Sequence, residues 1–177
     1  DPSKVKGYHY DPARSRRLLK EAGFPEGKGL PVITLLTIAL YSDMADFIAK
    51  QLDEIGIPVQ VETVQKALLL EMTSNSRALF FRGSWIADYP DPETFLNLYH
   101  GKIVPPLGQP SPINSTRFQN ARFDELFEQA LSTTDRSKRM RLYREAEQIA
   151  IDHAPMLLIF NDEDYRFIQP YVKGHPH

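Results

Sequence analysis

Apolar residues along the chain alternate between a helical and an extended period, and the switches mark its elements. Leu18 and Leu19 follow Asp11 and Pro12, a pairing of N-cap and first helical residue, and predict a helix over residues 12–22 that stops at Gly23. Residues 31–37 are β-branched and apolar and read as a strand. From Ser42, a candidate cap, Met44, Ala45, Ile48, Leu52 and Ile55 recur at helical spacing and would face the core. Gly56 ends that helix, and residues 57–63 alternate as a second strand. The intervening helix is long enough to cross over between parallel strands. Residues 65–75 read as a further helix with Leu68, Leu69 and Met72 turned inward, and Ala78-Leu79-Phe80-Phe81 as a buried third strand.

Downstream, Pro92 starts a short helix through Phe95, Leu96 and Tyr99. Residues 100–121, with Pro105, Pro106, Pro110 and Pro112, form a long irregular loop; such loops serve either function or connection. Two amphipathic helices follow. Phe123, Leu126, Phe127, Ala130 and Leu131 stripe the first. Asp135 caps the second, which runs to about His153 with Met140, Tyr143, Ala146, Ile149 and Ala150 inward. Residues 155–160 read as a buried strand, 161–164 as an acidic turn, and 165–168 as a strand pairing back. The predicted fold is α/β, a small mixed sheet flanked by helices, in a single domain over residues 1–177 with no internal repeat.

Composition narrows the function more than the fold. The 177 residues carry a net charge of −2, which argues against a nucleic-acid partner bound by phosphate neutralisation. The absence of cysteine excludes disulfides and thiolate sites. No segment is long and apolar enough to span a bilayer as a helix. The start at Asp1-Pro2 without an initiator Met suggests a piece of a longer protein. There is no phosphate loop, no nucleophile elbow and no dinucleotide fingerprint. His9, His100, His153, His175 and His177 lack metal-ligand spacing, so neither a metal nor a cofactor is expected.

The chemistry concentrates in the stretch from Arg82 to Pro92. Trp85, the only tryptophan, and Asp88 stand three positions apart beyond an apolar run, and Pro90 and Pro92 stiffen the exit. A tryptophan there serves as a core anchor or a ligand contact, and an aspartate as a turn cap or a binding group. Asp88 and Asp91 can also be posed as the paired carboxylates of a hydrolase, although their spacing carries no such information.

Several segments together resemble one family. Trp85 through Phe95 fits W-x-x-D-Y-x-(D/E)-P-x-x-F. Tyr10-Asp11-Pro12 with Leu18-Leu19-Lys20-Glu21-Ala22-Gly23, Gln51 through Ile57, and Arg139 through Ala146 followed by Ala154-Pro155 fit three further segments in order. They resemble the extracellular solute-binding proteins of family 5, the periplasmic oligopeptide- and dipeptide-binding components of bacterial ABC importers. The resemblance implies the C-terminal lobe of a two-lobed periplasmic binding protein of type II, a carrier rather than an enzyme. The missing N-terminal lobe, a small peptide ligand and membrane permease subunits would be its partners. It also implies a periplasmic or extracellular location, with a lipid anchor through the missing N-terminus. By the same resemblance Asp88 pairs with the ligand's α-ammonium, Trp85 lines a side-chain pocket and Arg82 meets a ligand carboxylate. The backbone at Ser84 and Ile86 would add to the peptide as a strand does. Family members for nickel or sugars often lose the Asp-Tyr pair retained here as Asp88-Tyr89, which favours peptides. Another solute, an oligosaccharide or a metal chelate, is the alternative within the same fold.

Overall fold

In the computed structural model, which describes residues 5–161, 165, 167–169 and 171–174, three strands run parallel: β1 (Ile33–Thr37), β2 (Val59–Thr63) and β3 (Phe80–Phe81). Their order is β2-β1-β3, with Leu35 opposite both Val61 and Phe80. The central β1 is the best covered of the three; Leu35, Leu36 and Thr37 are buried. β2 alternates half-buried Val59 and Val61 with exposed Gln60 and Glu62, as its sequence predicts.

The helices supply the crossovers. α1 (Pro12–Glu21) is capped by Asp11, whose carboxylate accepts the Arg14 N–H. α2 (Ser42–Asp53) joins β1 to β2 and buries Ala45, as expected, and Ala49, which is not among the expected residues; Met44, Ile48, Leu52 and Ile55 are half-buried. Ser42 is its first helical residue rather than its cap: Tyr41 holds the cap position, and the Ser42 hydroxyl donates to the Ala39 carbonyl. Gly56, at φ 92°, turns the chain into β2 where a Cβ would come within 2.4 Å of the Glu26 carbonyl, so only glycine fits. α3 (Lys66–Ser74) leads to β3 and buries Leu69, with Met72 half-buried.

A separate core lies downstream. α4 (Glu93–Leu96), α5 (Ala121–Leu131) and α6 (Arg136–His153) pack Leu96, Tyr99, Phe123, Leu126, Phe127, Leu142 and Tyr143 together with Ala130, Ala146 and Ala150. Phe123 and Phe127, one helical turn apart, stack at 5.9 Å, and Tyr99 meets Phe123 edge-on. Asp135 caps α6 as predicted, accepting the Lys138 N–H. The loop before α5 is built around buried Asn114. Its amide donates to the His100 and Phe118 carbonyls and its oxygen accepts from the Phe118 N–H. The expectation of a plain irregular connector understates that order.

Several expectations are corrected. The sheet is parallel throughout the described residues, not mixed, because residues 155–160 form no strand. Leu157, Leu158, Ile159 and Phe160 are exposed. Of the expected turn and final strand, residues 162–164 and 166 lie outside the described residues; Tyr165, Phe167 and Ile168 are in no strand. The third strand is two residues long, and Leu79, expected buried, is 97% exposed at the sheet edge. Leu18, Leu68 and Leu131 are exposed too. All these residues fit their element's period, but no neighbouring element covers that face. The total accessible surface, 12814 Å², makes the same point. A compact monomer of 20.3 kDa would show about 8,800 Å².

Candidate functional site

In an open parallel sheet, ligands bind beyond the carboxyl ends of the strands, where neighbouring strands send their connections to opposite sides. Here that place is between β1 and β3, because β1 is central and leads through α2 to β2 on its other flank. Two segments leave it: residues 38–41 from β1 and residues 82–92 from β3.

Arg82 opens the second segment. Its N–H donates to the Leu36 carbonyl at 2.9 Å, which fixes the chain against β1 for one residue beyond β3. Its guanidinium carbon lies 3.5 Å from the centre of the Tyr41 ring, and Nη1 donates to the Ser84 hydroxyl at 3.1 Å. Beyond Arg82 the backbone is irregular. Among the described residues, the main-chain groups of residues 83–88 make no hydrogen bond. A stretch of unpaired, exposed N–H and C=O groups is a template for another chain. Ser84 and Ile86 lie within it, and the Ile86 side chain is 86% exposed.

Trp85 is half-buried, and its indole N–H donates to the buried hydroxyl of Thr94 in α4 at 3.1 Å. The ring is thereby tied to the helical half. Asp88 is exposed, and among the described residues its carboxylate has no hydrogen bond and no ion pair. Tyr89 donates its phenolic O–H to the Glu93 carboxylate.

Asp91 is different. One oxygen accepts the Glu93 N–H at 3.0 Å at the start of α4 and the other pairs with Arg139 Nη2 of α6 at 2.8 Å. Tyr143, one turn along α6, is buried beside this pair. Burial, and then the negative charge of Asp91, push its phenol up to about 12. Asp88 and Asp91 therefore do not act as a matched carboxylate pair: one is free and the other is bound into the fold.

The structure brings Arg82, Ser84, Trp85, Ile86 and Asp88 into one continuous segment at the strand ends. Sequence reasoning missed Tyr41, Thr94 and the Arg139–Tyr143 face of α6, which hold that segment. Arg139, Tyr143 and Thr94 lie in segments that carry the family resemblance, but nothing local shows what they hold, because packing makes those contacts. Among the described residues no group of acidic and histidine side chains is arranged to hold a metal ion. A shallow hollow of about 670 Å³ lies under Val104, Pro105, Pro106, Leu107, Arg117 and Gln119, and no residue of 82–91 lines it.

The chain is also similar to known proteins. Residues 1–103 match the model of the bacterial extracellular solute-binding proteins, family 5 Middle. The chain is 28% identical to heme-binding protein A of Haemophilus influenzae over 97% of its own length and 31% of that protein. It is 25% identical to the dipeptide-binding protein of Escherichia coli, over 97% of this chain and 32% of that one. Among solved structures it resembles Haemophilus influenzae OppA in complex with the peptide RPPGFSPFR. The TM-score is 0.77 at 25% identity, covering 92% of this chain and 31% of that one. The chain thus spans about a third of the length of the relatives it matches.

Proposed function

The chain belongs to the bacterial extracellular solute-binding proteins of family 5, and from that premise we propose that it is the C-terminal lobe of a peptide-binding protein. That protein would capture a peptide between two lobes and deliver it to the permease of an ABC importer on the outer side of the cytoplasmic membrane.

One observation carries the reading: an exposed carboxylate without a partner, Asp88, sits beside a run of unpaired backbone at the carboxyl ends of parallel strands. Each part answers a part of a peptide. The backbone of residues 83–88 pairs with a peptide main chain, which is blind to side chains and so accepts many sequences. Asp88 answers the α-ammonium through a charge-assisted hydrogen bond, stronger once closure of the lobes removes water. The side of Trp85 left free of Thr94 offers an apolar wall. The surface left uncovered by this chain is consistent with a second lobe, and lobe closure about a hinge is the usual trapping motion. The relatives named for peptides, among them the dipeptide-binding protein, support the same solute class. A heme-binding relative of similar identity favours a second reading, a metal chelate held by the same segment.

Titration calorimetry on the complete protein that contains this chain separates the two. A tripeptide with a free amino terminus is expected to bind at least about tenfold tighter than its N-acetylated form, the worth of one charge-assisted hydrogen bond. Asp88→Asn is expected to abolish that difference. Equal affinity for the two peptides in the unaltered protein would overturn the role given to Asp88 and favour the chelate.

A further inference from the structure

Resting on the peptide reading, we propose that Tyr41 is a positioning and specificity-determining residue: it holds the Arg82 guanidinium as a receptor for a ligand carboxylate. The two residues follow different strands. Tyr41 closes the turn after β1 and Arg82 is the first residue after β3, so their side chains meet across the crevice where the two connections part. A separation of 3.5 Å between the guanidinium carbon and the ring centre is contact distance for a cation lying on an aromatic face.

The stack decides which donors remain. The ring covers one face of the guanidinium, and Nη1 is taken by the Ser84 hydroxyl at 3.1 Å. Nε and Nη2 make no hydrogen bond among the described residues. Together they form one edge of the fork, with two parallel N–H bonds, the geometry that a planar carboxylate accepts. No acidic side chain is paired with Arg82 among the described residues. The cation is thus fixed in place, half-buried, and uncompensated. An unstacked arginine would sample many rotamers and lose that freedom on binding; Tyr41 removes part of the cost beforehand. The phenolic oxygen of Tyr41 makes no hydrogen bond among the described residues, so the ring alone does the work.

The test measures the ratio of affinities for a tripeptide free acid and its C-terminal amide on the complete protein. Tyr41→Leu is expected to lower the ratio about tenfold by weakening only the acid, the range for a desolvated cation–aromatic contact. Tyr41→Phe is expected to keep it. Equal weakening of acid and amide, or no change of the ratio in Tyr41→Leu, overturns the proposal while leaving peptide capture intact. Loss of the free-amine preference in the unaltered protein strikes the peptide reading instead. A second arm needs no peptide. The Arg82 Nε–H resonance, assigned through its disappearance in Arg82→Lys, is followed on titration with acetate. Movement in the unaltered protein and in Tyr41→Phe, but not in Tyr41→Leu, supports the proposal. A resonance that is stationary in all three overturns it.

Discussion

Replacing either member of the Asp91–Arg139 pair removes the same salt bridge, yet the two changes are expected to differ severalfold in cost. Asp91 has two tasks: it accepts the Glu93 N–H at 3.0 Å and pairs with Arg139 Nη2 at 2.8 Å. The arginine side chain is 36% exposed and the aspartate 21%, so solvent screens the pair only in part. Exposed pairs contribute about 0.2–1 kcal/mol, whereas breaking a fully buried one costs about 3–5 kcal/mol. About 1–2 kcal/mol suits the intermediate case. Losing the hydrogen bond at the start of α4 adds about 1 kcal/mol. Asp91→Ala is then expected to cost about 2–3 kcal/mol, and Asp91→Asn, which keeps an acceptor for Glu93, about 1–2 kcal/mol. Arg139→Leu also removes a buried Nε that has no hydrogen-bond partner, and it leaves Asp91 bonded to Glu93. Arg139→Leu still loses the pair, at about 1–2 kcal/mol, and that relief offsets part of the loss, leaving a cost of about 1 kcal/mol. Urea unfolding of the chain ranks the three directly, and in thermal scans each kcal/mol moves the midpoint by about 2–4 °C. Arg139→Leu proving as damaging as Asp91→Ala would refute the reasoning, because the double task of Asp91 would then have no energetic content.

Asn114→Ala removes a fully buried amide that satisfies the carbonyls of His100 and Phe118 and the N–H of Phe118. Leaving these groups unpaired is expected to cost about 3–5 kcal/mol and to speed amide exchange across residues 100–118, read by urea titration and hydrogen exchange; a loss under about 1 kcal/mol would contradict it. The Tyr143 phenol is held up to about 12, above its ordinary 10.0, so the folded state binds this proton more tightly than the unfolded state. Its stabilising contribution is complete below about pH 10 and is lost as pH rises through about 12. Tyr143→Phe should therefore flatten the alkaline fall in urea midpoint across that window, and an unchanged slope would show that another group titrates there.

What could be read from the chain was local. Asp11 and Asp135 cap their helices because a short carboxylate reaches the N–H three residues on, whatever surrounds it. The stripe on α5 is buried as its spacing requires except at its last residue, Leu131, and the parallel β1–β2 pair follows from the helix between them. Burial of Leu18, Leu79 and residues 157–160 could not be read the same way. Periodicity says which side of an element is apolar; it does not say whether this chain supplies a surface to cover that side. At the site, composition drew attention to residues 82–92 and resemblance assigned their roles. Asp88 and Asp91 are the same residue type three positions apart, and only Arg139, placed beside Asp91 by the packing of α6, tells them apart.

That distinction has a physical consequence for binding. A carboxylate can receive a ligand's ammonium only if the protein's own cations are engaged elsewhere. Neither Arg82 nor Arg139 pairs with Asp88 among the described residues. Arg82 is drawn onto the Tyr41 ring at the β1 side, and Arg139 is neutralised by Asp91 on the α6 side. Asp88, on the exposed backbone between them, is left with its charge uncompensated. Two of the segments that carry the family resemblance, 85–95 and 139–146, thus turn out to be the two halves of one ion pair. Under the proposed function, a positive charge moved within reach of Asp88 would weaken capture of a ligand's ammonium.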